Sequence, residues 1–170
     1  MPRLTKFDPD LQVWNGDNQM NAQDIMTSPV VTTAADSTVE TAAKLMLEHG
    51  TSCLPVLDDK GQLVGILTHT DFGFHRKFLP MAGYLYTLMG SSVKPETLEE
   101  VAKAVSSKIV SEVMSHPAII VQEDTSVAEA ADLMLQKNIS RLPVMRGKTL
   151  VGIVTQHDFV KLMAMSPTQD

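Results

Sequence analysis

Cys53 is the only cysteine in the 170 residues, so no internal disulfide can form and no cysteine-based metal site can be assembled. Cations are too few for a nucleic-acid surface. Lys and Arg number 14 against 20 Asp and Glu, a formal charge of −6, whereas general binding to nucleic acid needs a basic excess that displaces counterions. That balance still permits one anionic ligand in a locally basic pocket. No apolar run approaches the roughly 20 residues of a membrane span. The start of the chain carries Asp8, Asp10 and Asp17 in place of the apolar stretch of a signal peptide. These absences lead us to expect a soluble, cytoplasmic protein with no nucleic-acid partner and no membrane insertion. What is present, 44% hydrophobic and 20% charged residues, suits a globular protein and not a disordered one. The length suits one compact domain or two small modules that share a core.

The organisation is an internal repeat. Met26-Thr-Ser-Pro29 returns as Met114-Ser-His-Pro117, and Leu54-Pro55-Val56 returns as Leu142-Pro143-Val144. The stretch from Val39 to Leu47 returns from Val127 to Leu135. One residue is lost where the turn Asp58-Asp59-Lys60-Gly61 becomes Arg146-Gly147-Lys148. Beyond that gap, Leu63 to Phe72 matches Leu150 to Phe159. A match of this length, with its one gap in a turn, marks two copies of one unit.

Each copy reads as β-α-β-β-α. The β-branched runs Val30-Val31-Thr32-Thr33 and Ile119-Ile120-Val121 predict first strands. Val39, Ala42, Ala43 and Met46 follow the spacing of one buried helical stripe, and Val127, Ala130, Ala131 and Met134 repeat it. Residues 53–57 and 63–67 flank a polar turn and predict a hairpin, which leads into a helix near Asp71; the second copy does the same near Asp158. One unit alone would leave a sheet face exposed, so the two are expected to pack together. We divide the chain into an N-terminal arm (1–21), a first repeat (22–79), a helical connection (80–109), a second repeat (110–165) and a short tail (166–170). The connection is assigned from the helical spacing of Met81, Leu85, Leu88 and Met89 and of Leu98, Val101, Ala102 and Val105. Its Met-rich part, with Tyr84 and Tyr86, suits either packing on the modules or a partner surface.

The candidate chemistry lies at two matching turns. Gly65-Ile66-Leu67-Thr68-His69-Thr70-Asp71 and Gly152-Ile153-Val154-Thr155-Gln156-His157-Asp158 share the form Gly-Ile-x-Thr-x-x-Asp at a strand-to-helix junction. A helix N-terminus offers free N–H groups and partial positive charge to a phosphate. A threonine hydroxyl beside it can donate to the same phosphate, and a carboxylate three residues on can accept from ribose hydroxyls. Glycine in the strand permits close approach of backbone or ligand. The same Thr-x-x-Asp is also a plain capping box that needs no ligand. Duplication copies caps as readily as sites, so both readings stand at this point.

These paired motifs resemble tandem CBS domains, the regulatory modules named after cystathionine β-synthase. The resemblance rests on the Met-Thr-x-Pro opening, the Leu-Pro-Val strand and the Gly-Ile-x-Thr-x-x-Asp turn, each represented in both copies. It implies an α/β (α+β) fold in which two β-α-β-β-α repeats pack as a pseudo-twofold pair. It also implies two clefts for adenine nucleotides (AMP, ADP, ATP) or an S-adenosylmethionine-type ligand. In such pairs the Thr/Asp turn of one repeat meets the first two strands of the other. Carried over, Ile66, Thr68, Thr70 and Asp71 would face Ile119, Ile139, Ser140 and Arg141. The second cleft would join Ile153, Thr155, His157 and Asp158 to Val31, Thr51, Ser52 and Cys53.

The resemblance makes the clefts chemically unequal. Arg141, with Lys137 near it, would bring a bidentate phosphate donor to the first. Cys53 holds the matching place in the second, where only His157 would compensate. The five histidines show no metal-ligand spacing, so no metal site is expected. No nucleophile, base and orienting group can be assembled, so no enzyme is expected. The function expected is regulation of an unidentified partner by an adenosyl ligand, in a homodimer of CBS pairs, with energy sensing as its role. The alternative is a constitutive dimeric scaffold whose turns are only caps.

Overall fold

A computed structural model describes residues 20–72, 103 and 106–165. The arm, the tail and nearly all of the expected connection lie outside the described residues. So do Tyr84, Tyr86 and the apolar positions 81, 85, 88 and 89.

The elements follow in chain order as α1 (Ala22–Ile25), β1 (Thr33–Ala34), α2 (Val39–His49), β2 (Cys53–Leu57), β3 (Leu63–Thr68) and a 3₁₀ turn (His69–Phe72). The second set is α3 (Val110–Val113), β4 (Val121–Gln122), α4 (Val127–Lys137), β5 (Arg141–Arg146), β6 (Thr149–Thr155) and α5 (Gln156–Met165). Local chemistry explains the two longest matching helices. Thr38 caps α2 by accepting from the Thr41 N–H at 3.2 Å, and Gly50 ends it in the left-handed region at φ 61°. Ser126 and Glu129 form a reciprocal capping box on α4, and Asn138 ends it at φ 51°. Each helix buries one stripe: Val39, Ala42 and Met46 in α2, Ala130 and Met134 in α4.

Two three-stranded sheets carry the strands in the orders β1-β2-β3 and β4-β5-β6. In each the first pair is parallel and the second is an antiparallel hairpin. The central strands are buried: Leu54, Val56, Leu142 and Val144 are wholly inaccessible. Truncating such a leucine to alanine costs about 2–5 kcal/mol.

The first strands are shorter and later than the β-branched runs suggest. β1 is Thr33–Ala34 and β4 is Val121–Gln122, and Val30, Val31, Ile119 and Ile120 join no ladder. The reason is tertiary. The chain ahead of β1 is drawn across to the other repeat, where Thr27 and Ile153 exchange backbone hydrogen bonds at 2.9 and 3.1 Å. Ser115 and Ile66 make the matching exchange at 3.0 Å each way. The first repeat also continues past its turn as a 3₁₀ turn within the described residues, where the second has the ten-residue α5.

The two copies thus trade their openings. The Ala22 N–H donates to Thr125 O at 2.8 Å, and the Val127 N–H at the start of α4 donates to Met20 O at 2.9 Å. In the other direction the Val110 N–H donates to Ser37 O, and the Val39 N–H of α2 donates to Lys108 O, both at 2.8 Å. Ala22, Ile25 and Met26 join the core built on Leu142, Val144 and Val154, whereas Val110, Val113 and Met114 join that of Leu54, Val56 and Leu67. Neither core is complete without residues of the other copy.

Candidate functional site

The two Gly-Ile-x-Thr-x-x-Asp turns sit at the ends of β3 and β6, the third strands of the sheets. Gly65 and Gly152 turn out to be seats for protein atoms. A Cβ on Gly65 would stand 2.9 Å from the Ser115 carbonyl oxygen and against Met114 Sδ, and one on Gly152 would meet Met26. Of the two roles open to these glycines, close approach of the other copy's opening is the one present.

Each aspartate lies inside the turn that follows its strand and reaches back to the threonine three residues earlier. The Thr68 N–H and hydroxyl donate to Asp71 Oδ2 at 2.7 and 2.8 Å, and Thr155 does the same to Asp158 Oδ2, both at 2.8 Å. The carboxylate half of a capping box is therefore present at both turns. What differs is the second carboxylate oxygen. Asp158 is buried at 4% exposure, and its Oδ1 accepts from Lys161 Nζ at 3.0 Å. Asp71 is half-buried, and its Oδ1 has no hydrogen-bond partner among the described residues. The Thr70 and Thr68 hydroxyls lie 2.6 Å apart beside it. Among the described residues the first turn presents an unpartnered acceptor and two hydroxyls; the second is closed by its own lysine.

Arg141 heads β5, paired with Thr155 in the ladder, as Cys53 heads β2 opposite Thr68. Its Nη2 donates to Ser52 Oγ at 2.9 Å and lies 3.4 Å from His69 Nδ1. The guanidinium thus sits beside the first turn while also holding a residue assigned to the second cleft. Burial pushes the Cys53 thiol above its ordinary value, and Arg141 beside it pulls in the opposite direction. Cys53 is 4% exposed.

The remaining expected residues are placed as follows. Ile119 and Ile139 are half-buried on the second core, and Val31 on the first. Ile66 and Ile153 form the cross-repeat bridges. Ser140 accepts from the Gln156 N–H at 3.0 Å, as Ser52 accepts from the His69 N–H at 3.0 Å. The Thr51 hydroxyl donates to Cys53 O at 3.0 Å. His157 is exposed, as is Lys137 in the last turn of α4. Lys161 and His69 are the polar groups that the sequence reading missed. Lys161 was legible as an i,i+3 partner of Asp158 on a helix. His69 lies inside the turn motif itself, and its Nδ1 stands between Ser52 O of its own repeat at 3.3 Å and Arg141 Nη2 of the other at 3.4 Å. Among the described residues no group of three His, Cys, Asp or Glu gathers as a metal site.

The CBS domain family matches this sequence at residues 22–72 and 110–165, the two copies that trade their openings. The chain belongs to the CBS-domain family. The CBS domain of a CBS-domain-containing membrane protein from Sphaerobacter thermophilus superimposes with TM-score 0.67 at 37% identity, covering 85% of this chain and 88% of that one. The CBS domain pair of protein MJ0100, solved with 5′-methylthioadenosine and S-adenosyl-L-methionine, gives 0.63 at 26% identity over 86% of this chain and 98% of that one. CBSX2 in complex with AMP gives 0.60 at 25% identity, covering 85% and 96%. Among curated relatives, the uncharacterized protein MJ1426 of Methanocaldococcus jannaschii is 31% identical over 85% of this chain and 91% of its own length. The chain spans only 31%, 22% and 23% of three others from that organism: uncharacterized protein MJ1404, L-aspartate semialdehyde sulfurtransferase and inosine-5′-monophosphate dehydrogenase. The chain is thus a CBS pair of α+β fold, and the two enzymes match it over a minor part of their length. No described helix is long and apolar enough to cross a membrane.

Proposed function

We propose that this CBS pair is a non-catalytic regulatory module that binds an adenosyl ligand, with the cleft at Thr68, Thr70 and Asp71 as its principal site. The observation that carries this reading is Asp71 Oδ1, unpartnered among the described residues, beside two threonine hydroxyls in a turn whose His69 lies 3.4 Å from the Arg141 guanidinium. A ribose supplies hydroxyl donors for the carboxylate, and a phosphate supplies the acceptor for Arg141. Complexes of MJ0100 with S-adenosyl-L-methionine and 5′-methylthioadenosine, and of CBSX2 with AMP, support the ligand class. The ligand regulates a partner only in so far as it binds one arrangement of the two repeats better than another. The traded openings supply a path for this, because each turn abuts a segment of the other copy.

The second cleft, formed around Thr155 and Asp158, is the weaker site. Lys161 already occupies the oxygen that a ribose would need, and Cys53 brings no charge. The closed cap at Asp158 favours a second reading for that half of the molecule, a purely structural turn in a dimeric scaffold.

Calorimetry with AMP, ATP and S-adenosylmethionine tests the proposal. Asp71→Ala should weaken the first cleft roughly ten- to a hundredfold, the loss of a charge-assisted hydrogen-bond partner. Unchanged affinity in an Asp71→Ala, Asp158→Ala double variant would remove both clefts as sites.

A further inference from the structure

Arg141 stands between the two clefts. It heads β5, among the residues assigned to the first cleft, yet its Nη2 is committed at 2.9 Å to Ser52 Oγ, in the wall assigned to the second. The same nitrogen lies 3.4 Å from Nδ1 of His69, the residue that follows Thr68. The Cys53 thiol feels the charges of both Arg141 and Asp158, so the guanidinium and the second-cleft carboxylate share a neighbour. A symmetric pair would carry an arginine at each of these heads. Here position 53 is cysteine, and the other described arginine, Arg146, is held by Glu123 at 2.7 Å.

We propose that Arg141 couples the two clefts: a phosphate in the first draws the guanidinium off Ser52, and a phosphate in the second holds it there, so phosphate-bearing ligands compete for it. This inference rests on the clefts being adenosyl-ligand sites. The coupling acts through one charged hydrogen-bond donor, so it operates on AMP and leaves adenosine unaffected. A guanidinium offers five N–H donors in a rigid planar fork. That fork serves one phosphate bidentately and cannot face two directions at once. Linkage makes the effect reciprocal, whichever cleft fills first.

The test is calorimetry of the full chain with AMP and with adenosine, on the wild type, Asp71→Ala and Arg141→Gln. In the wild type the second AMP is expected to bind roughly tenfold or more weakly than it does when the first cleft is disabled, the scale of one charged hydrogen bond. Asp71→Ala should therefore tighten AMP at the second cleft by that factor while leaving adenosine there unchanged. In Arg141→Gln, which alters no buried side chain, the two AMP steps should differ no more than the two adenosine steps. Second-cleft AMP affinity that ignores Asp71→Ala, or an AMP-specific difference that survives in Arg141→Gln, overturns the coupling and leaves the sites standing. Loss of every AMP step in Asp71→Ala also overturns it. Failure of both AMP and adenosine to bind the wild type overturns the sites themselves, and the coupling with them.

Discussion

Met114 packs over Gly65 across the boundary between the two sequence copies, with its sulfur where a side chain on Gly65 would begin. The Ser115 carbonyl closes the same space from the backbone side. Gly65→Ala should therefore destabilise by about 1–3 kcal/mol, the usual cost of overpacking. For a chain of this size that lowers Tm by about 2–4 °C per kcal/mol. Met114→Ala in the same chain should restore only part of the loss, since a flexible thioether can yield and a hydrogen-bonded backbone cannot. Thermal melts of the two single variants and the double variant decide this; full additivity would show that the two residues do not press on each other.

Arg141→Ala should weaken ATP or ADP at the first cleft much more than adenosine, because a guanidinium stabilises phosphate charge and adds little to ribose or base. Raising salt should erode nucleotide affinity there in the same sense. Equal losses for adenosine and ATP in Arg141→Ala would show that Arg141 shapes the pocket and does not read the phosphate.

Self-association should occur through the helical faces. Leu47 on α2 and its repeat-mate Leu135 on α4 are 84% and 76% exposed, and Met163 on α5 is 75% exposed. Unpartnered apolar side chains on repeat-related helices suit a symmetric contact. Light scattering at micromolar protein is expected to show a dimer, and a Leu47→Glu, Leu135→Glu double variant a folded monomer. A wild-type monomer with and without AMP would refute the contact.

The Cys53 thiol should resist alkylation at neutral pH, since burial holds it protonated above its ordinary value of 9.0 despite the nearby Arg141. A raised folded-state pKa contributes stability that is intact below the unfolded value. That stability declines as pH climbs through the higher folded value. Thermal melts should show the wild type losing ground to Cys53→Ala on the alkaline side only. A constant difference from pH 7 to beyond the ordinary thiol range would mean that the thiol does not titrate differently in the folded chain.

The repeat, the two hairpins, the buried stripes of α2 and α4, and the Thr-x-x-Asp turns were all legible in the linear sequence. Each depends on neighbours in the chain: caps three residues apart, stripes at helical spacing, a turn between two apolar runs. The first strands were misplaced because β-branched propensity at Val30, Val31, Ile119 and Ile120 yields to the pull of the other copy's third strand. That pull joins Thr27 to Ile153 and Ser115 to Ile66, and no local pattern encodes it. The same holds for part of the site. The sequence named Thr68, Asp71, Thr155 and Asp158 through matching turns in both copies, and Arg141 only through the resemblance to CBS pairs. The two carboxylates are made unlike locally, by Lys161 three residues after Asp158 on one helix, whereas Asp71 Oδ1 has no partner among the described residues. Only the tertiary structure brought Arg141 from the second copy onto Ser52 and beside His69 of the first. Sequence similarity within the chain marks what was duplicated and, through Lys161 three residues after Asp158, where the copies differ locally; where the Arg141 guanidinium rests is decided by a contact between residues 89 apart in the chain.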